Sequence, residues 1–173
     1  MFENLEIPNN LYPTDPRFGT GPSLVPLDFV KQLLETGTGL LGTSHRKAPV
    51  KNLCKGIQDG LKSYFKLPDG YEVIMGNGGA TLLFDMIGLG LVEKKSAHFT
   101  CGEFSEKWYK SHQLIPWIDS MQFSAEYGKG ITPTDKDGFD LLAMTLNETS
   151  TGVAIDEIPK VEDLNRLIAI DAT

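Results

Sequence analysis

From residue 71 onward, short apolar runs alternate with stretches of helical period, and this alternation restricts the fold more than any other feature of the chain. Residues 71–75, 96–100, 117–123, 139–145, 153–155 and 167–171 read as strands. A mostly apolar helix is predicted after Thr81, a second over residues 104–113, and a short one over 160–166. Strands separated by helices pair in parallel, because a parallel partner needs a long crossover. The expected fold is therefore α/β, a mostly parallel sheet with flanking helices. Such sheets bind ligands beyond the carboxyl ends of their strands, so the chemistry is to be sought at the strand-to-helix junctions.

The chain ahead of residue 71 is organised differently. Residues 1–22 are rich in Pro, Asn and Gly and read as an irregular arm. Residues 26–36 and 48–66 carry apolar positions at helical spacing, with Val50, Leu53, Cys54, Ile57, Leu61 and Phe65 on one face of the second helix. The short polar loop Gly42-Thr43-Ser44-His45-Arg46 joins them. Residues 67–70 form a turn, and residues 124–138 a long loop.

A net charge of -7 argues against a nucleic-acid surface, which needs clustered Lys and Arg, and leaves room for a local basic pocket. Cys54 and Cys101 are too few for a disulfide framework or a metal site and read as reduced thiols. The start of the chain lacks the apolar core of a signal peptide, and no run approaches a membrane span, so the expected location is the cytoplasm. His98 and His112 show no metal-ligand pattern, and neither is assigned a function. The chain closes on an apolar run that delivers Asp171 at a strand edge, an ending that predicts truncation.

The junctions hold several candidates. Gly76-Asn77-Gly78-Gly79-Ala80-Thr81 lies between a strand and a helix, where small residues and free N–H groups suit a phosphate. On the loop alone, a phosphate site and an unliganded tight turn stand equal. The spacing fits neither a dinucleotide fingerprint nor a P-loop. Arg46 has the planar fork that grips a carboxylate or phosphate, although most single arginines are ordinary surface residues. The adjacent His45 reads as a structural support or a base. Asp171 can pair with a protonated ring nitrogen of a cofactor, or cap a following helix. Thr149 can bond a ring hydroxyl, or close a turn. Phe104 can stack on a flat ring, or belong to the core.

The order of these motifs is more specific than any one of them. Arg-Phe-Gly-Thr-Gly-Pro-Ser (17–23), Gly-Thr-Ser-His-Arg (42–46), Leu-Pro-Asp-Gly-Tyr-Glu-Val-Ile (67–74), Gly-Asn-Gly-Gly-Ala-Thr (76–81), Gly-Glu-Phe-Ser (102–105), Asn-Glu-Thr-Ser-Thr-Gly-Val (147–153) and Ile-Asp-Ala-Thr (170–173) follow one another. This series resembles the phosphoserine aminotransferases, particularly their actinobacterial-type branch, from about residue 14 to residue 173.

The resemblance implies pyridoxal 5'-phosphate (PLP) as cofactor and the large domain of the fold-type I transferases. It divides the chain into an arm (1–22) and part of that domain (23–173), truncated before the C-terminal domain. By the resemblance, Ala80 and Thr81 hold the PLP phosphate, and Phe104 stacks on the ring, more weakly than the Trp that many members have there. Thr149 lies near the ring hydroxyl, Asp171 pairs with the ring nitrogen, and Arg46 with His45 binds the substrate's acidic group. The implied reaction passes the amino group of glutamate to 3-phosphohydroxypyruvate, a phosphorylated 2-oxo acid, in serine biosynthesis. The family's Schiff-base lysine stands in a Gln-Lys-Asn context that these 173 residues lack, so the chain alone is expected to be inactive. Family members are homodimers, and an uncovered strand edge and apolar helix face predict dimerisation or poor solubility. Another aminotransferase or desulfurase of the same class, or a binding module without catalysis, are the alternatives.

Overall fold

The computed structural model describes residues 6–15, 17, 24–163 and 165–173. Apart from Arg17, the 17–23 motif lies outside them, as does much of the expected arm. The chain divides into two compact units, with the boundary between Met75 and Gly76.

In the first unit, a 3-10 turn at Asn9–Leu11 precedes α1 (Leu27–Thr36). Pro26 stands just before α1, where its fixed φ favours helix entry. A second 3-10 turn (Gly37–Gly39) leads into the polar loop and then α2 (Ala48–Tyr64), again with Pro in the first turn. Residues 71–75, expected as a strand, form no strand and pair with none among the described residues. Their apolar pattern favours extended backbone, but a strand also needs a neighbouring edge to pair with. The segment is instead tied to α2, where the Gln58 side-chain amide donates to the Val73 carbonyl at 2.7 Å.

The second unit is built on four parallel strands: β1 (Lys95–Thr100), β2 (Asp119–Ser124), β3 (Leu141–Thr145) and β6 (Leu167–Asp171). They lie in the order β2-β1-β3-β6. A two-stranded antiparallel hairpin, β4 (Asn147–Glu148) with β5 (Val153–Ala154), follows β3 directly. The α/β expectation is met. Helices α3 (Ala80–Leu91) and α4 (Glu103–Gln113) cover one face, packing Phe84, Ile87, Trp108 and Ile115 onto Leu141 and Ala143. The other face holds Ala97, Phe99, Leu142 and Met144, closed by Ile131, Phe139, Ile155 and Val161 from crossover loops.

Two contacts set the direction of the helices. Phe84 stacks on Trp108 with ring centroids 4.6 Å apart and planes 8° off parallel, worth about 1 kcal/mol beyond area burial. One turn on, a Cβ at Gly88 would lie 2.5 Å from Ile115 Cδ1 and 3.0 Å from His112 Nε2, so those two side chains press against the bare Gly88 backbone. Phe84 then Gly88 on α3 thus match Trp108 then His112 on α4 and Ile115 just past its end. The helices run the same way, and both N-termini stand at the carboxyl edge of the sheet.

The short helix expected over residues 160–166 is not formed at the described positions. Asp163 Oδ1 accepts the Asn165 N–H at 2.9 Å, a local turn that competes with helix. Arg166, buried, pairs with Asp135 and with Asp137 at 3.4 Å, and its Nε–H donates to the Phe139 carbonyl at 3.1 Å. These bonds pin the 125–139 crossover to the start of β6. Removing them with Arg166→Met should speed proteolytic nicking between residues 125 and 139, as followed by mass spectrometry under native conditions.

Under α4 lies a buried polar cluster. Ser96 Oγ is 2.9 Å from His98 Nε2, 3.2 Å from His112 Nδ1 and 3.1 Å from Ser120 Oγ. His112 Nε2 faces both the Trp108 N–H and the Phe84 carbonyl, each at 3.1 Å. Burial first, and then the neighbouring His112, lower the His98 pKa to about 3. The unfolded chain therefore binds a proton at His98 that the folded chain refuses, and the associated stability, complete at neutral pH, is lost as pH falls below about 6.5. Unfolding free energy from urea titrations should drop by about 2 kcal/mol from this group near pH 5, and by less in His98→Asn.

Candidate functional site

Two short stretches distant in sequence interlock at the carboxyl edge of the sheet. Gly102-Glu103-Phe104-Ser105 opens α4 after β1, and Asn147-Glu148-Thr149-Ser150 enters the hairpin after β3. The first N–H groups of a helix lack intrahelical acceptors. Here the second stretch supplies them. Ser150 Oγ accepts the Glu103 N–H at 2.8 Å, Glu148 Oε1 the Phe104 N–H at 3.2 Å, and Glu148 Oε2 the Ser105 N–H at 2.9 Å. The Ser105 and Ser150 hydroxyls also donate to this carboxylate, at 2.7 and 2.6 Å.

Glu148 is 1% exposed. Burial alone would raise its pKa, but the donors from Ser150, Ser105 and Phe104 outweigh that effect and hold it below the usual carboxylate range. The positive end of the α4 dipole acts in the same direction. Gly102 makes the approach possible, since a Cβ there would lie 2.4 Å from Glu148 Cγ. Sequence reasoning missed Glu148. Its only signal was a charged residue inside a motif read for its threonine.

The candidates of this unit collect along the same edge. Phe104 is in the first turn of α4, 40% exposed, with Lys107 Nζ 5.0 Å from its ring centroid. Thr149, next to Glu148, is exposed at the head of the hairpin. Asp171 ends β6 in register with Thr145, and its carbonyl accepts the Leu146 N–H at 2.7 Å, one residue before the hairpin. It is 5% exposed. Its Oδ1 accepts the Thr173 hydroxyl at 2.7 Å and the Thr173 N–H at 3.2 Å, while Oδ2 has no protein donor among the described residues. Beside it, the buried Thr145 hydroxyl also has no partner among the described residues.

Ala80, half-buried, and Thr81, exposed, are the first two residues of α3, behind Gly79 at the N-cap. Their N–H groups have no intramolecular acceptor among the described residues. His45 and Arg46 belong to the other unit and lie exposed in the loop before α2. There the Ser44 Oγ accepts the Arg46 N–H at 3.3 Å and the Ser44 carbonyl accepts the Lys47 N–H at 2.9 Å. Among the described residues no group of metal-binding side chains gathers, and no helix is long and apolar enough to cross a membrane.

No protein-family model matches the chain. It is similar along its full length to the putative phosphoserine aminotransferase of Mycolicibacterium vanbaalenii, 48% identical over 174 residues, which make up 47% of that protein. The phosphoserine aminotransferase of Nocardioides sp. is 42% identical, again over all of this chain and 47% of its own length. This chain is similar in sequence to the phosphoserine aminotransferases. It spans about half the length of the curated relatives it matches.

Solved structures agree. The phosphoserine aminotransferase of Cytophaga hutchinsonii superposes with a TM-score of 0.71 at 29% identity, covering 83% of this chain and 41% of that one. The phosphoserine aminotransferase of Bacillus circulans subsp. alkalophilus shares the fold, with a TM-score of 0.76 at 23% identity over 90% of this chain and 46% of its own. The expected α/β fold of this enzyme class is therefore the fold found.

The interlock sets a steric limit. Gly102→Ala should destabilise the protein by about 1–3 kcal/mol, because the new methyl displaces a buried carboxylate together with its donors. Urea denaturation of the two proteins measures the difference.

Proposed function

We propose that this chain forms the cofactor-holding part of a PLP-dependent phosphoserine aminotransferase. Asp171 carries the reading: a buried carboxylate at the carboxyl edge of a parallel sheet, with one oxygen held by Thr173 and the other without a protein donor among the described residues. Such a group suits a protonated ring nitrogen. The residues fit the rest of the cofactor. The unpaired N–H groups of Ala80 and Thr81 at the start of α3, with the Thr81 hydroxyl, suit its phosphate. Phe104 offers a ring face, and Thr149 an exposed hydroxyl for the ring oxygen.

Bound PLP would supply an electron sink at the carbon that bears the amino group. Asp171 would keep the ring nitrogen protonated, Phe104 would fix the ring plane, and Ala80 and Thr81 would anchor the phosphate end. Arg46, with His45 beside it, would bind the acidic group of the substrate, because a guanidinium fork matches carboxylate and phosphate alike. Glutamate as donor and 3-phosphohydroxypyruvate as acceptor belong to the reading through the sequence match at 42–48% identity. Proton transfer needs a base. No lysine among the 173 residues stands in a Gln-Lys-Asn context, and that step is assigned to groups outside them.

The same reading treats residues 23–173 as part of one large domain, in a cytoplasmic homodimer. Leu82, Leu83, Met86 and Leu89 on the outer side of α3 are 44–60% exposed, which supports an additional covering surface.

PLP should bind these 173 residues saturably, as followed by quenching of tryptophan fluorescence, and glutamate should yield no 2-oxoglutarate. Asp171→Asn and Thr81→Ala should each weaken binding by roughly tenfold, the loss of one charge-assisted hydrogen bond. Binding unchanged in both variants would overturn the proposal.

A further inference from the structure

We infer that Glu148 is a positioning residue for the cofactor ring, setting the place of Phe104 relative to Thr149 through one buried carboxylate. The inference rests on the proposed ring contacts of those two residues. Thr149 is bonded directly to Glu148 in the chain. Phe104 lies 44 residues away in sequence and reaches the same carboxylate through its own backbone N–H, 3.2 Å from Oε1.

The carboxylate is held from both sides. Oε2 takes the N–H and O–H of Ser105, at 2.9 and 2.7 Å, and Oε1 takes the O–H of Ser150 at 2.6 Å. Ser150 Oγ in turn accepts the Glu103 N–H at 2.8 Å, and the Thr151 hydroxyl donates to the Cys101 carbonyl at 3.2 Å. Ser105 Oγ turns back as well, accepting the Cys101 and Gly102 N–H groups at 3.1 and 3.2 Å. Helix start and hairpin head therefore move as one body.

A cap alone would not need this much. A single Ser or Asp side chain within the same turn satisfies the start of most helices. Here the acceptor comes from the segment that follows β3 and is a buried charge, compensated by N–H and O–H donors and the helix dipole. The consequence is a fixed span between a ring face at Phe104 and a hydroxyl at Thr149. Contacts held by such a supporting layer lose ligand affinity when the layer is loosened, even though the contacting residues stay in place.

The test uses the whole polypeptide that carries this chain, with PLP as the probe. Glu148→Gln keeps the shape and turns one acceptor oxygen into a donor that opposes the helix N–H groups. The expected result is PLP affinity reduced roughly tenfold and a weakened or altered induced circular-dichroism band of the bound cofactor, with native far-ultraviolet dichroism. Ser150→Ala, at an exposed position, should change both readouts in the same direction by less, and it carries the test if Glu148→Gln does not fold. A purely structural cap would lower the melting temperature of the cofactor-free protein and leave affinity and induced dichroism as in wild type; that outcome overturns the inference. If Phe104→Leu and Thr149→Val weaken PLP binding while Glu148→Gln does not, the inference fails alone. If wild type binds no PLP, or if those two variants bind it normally, the functional reading fails and the inference with it.

Discussion

Parallel pairing is the constraint on which the second unit rests. Each of the four paired strands must be entered from the same edge, so each crossover returns the chain to one side and leaves the strand ends together on the other. Helices that follow or precede such strands in antiparallel return aim their N-termini at the carboxyl edge. The match of Phe84 and Gly88 with Trp108, His112 and Ile115 fixes that direction for both α3 and α4. Free N–H groups, Phe104, Thr149 and Asp171 gather at this edge as a consequence of topology, and they do so although the residues are far apart in sequence.

Polar groups inside this unit are organised to different ends. Around Ser96, two histidines, a tryptophan and a second serine share hydrogen bonds beneath α4, where burial keeps His98 neutral. That cluster sits within the core. Glu148 is charged and buried at the edge, and its donors are backbone groups of a helix start. The first arrangement stabilises packing at neutral pH; the second locks two chain segments together at the carboxyl edge of the sheet. The second is fully paired, whereas in the first His98 Nδ1 has no partner among the described residues, and a buried polar atom left so is costly.

The strands at 96–100, 139–145 and 167–171 were legible because buried parallel strands are continuous apolar runs. Helices α1, α2, α3 and α4 were legible from their period and their Pro or Gly boundaries. Residues 71–75 and 160–166 misled for opposite reasons. The first has strand-like residues without an edge to pair with. The second has helical spacing, yet the Asp163 turn and the ion pairs of Arg166 hold it in another path. Loops, where helices were expected to flank the sheet, close its second face at Ile131, Phe139, Ile155 and Val161.

Among the proposed site residues, Ala80, Thr81, Phe104, Thr149 and Asp171 could be marked from the sequence because small residues, hydroxyls and a carboxylate at strand-to-helix junctions are local signals. The sequence by itself determined the α/β class, the order of the elements and the junctions worth inspecting, since period and turn chemistry are properties of neighbouring residues. Tertiary structure alone decided that Glu148 caps a helix 44 residues earlier in the chain, that Gly102 must leave it room, and that the Asp171 carboxylate is buried with one oxygen held by Thr173. Those facts depend on which strands lie side by side, and no local pattern encodes that adjacency.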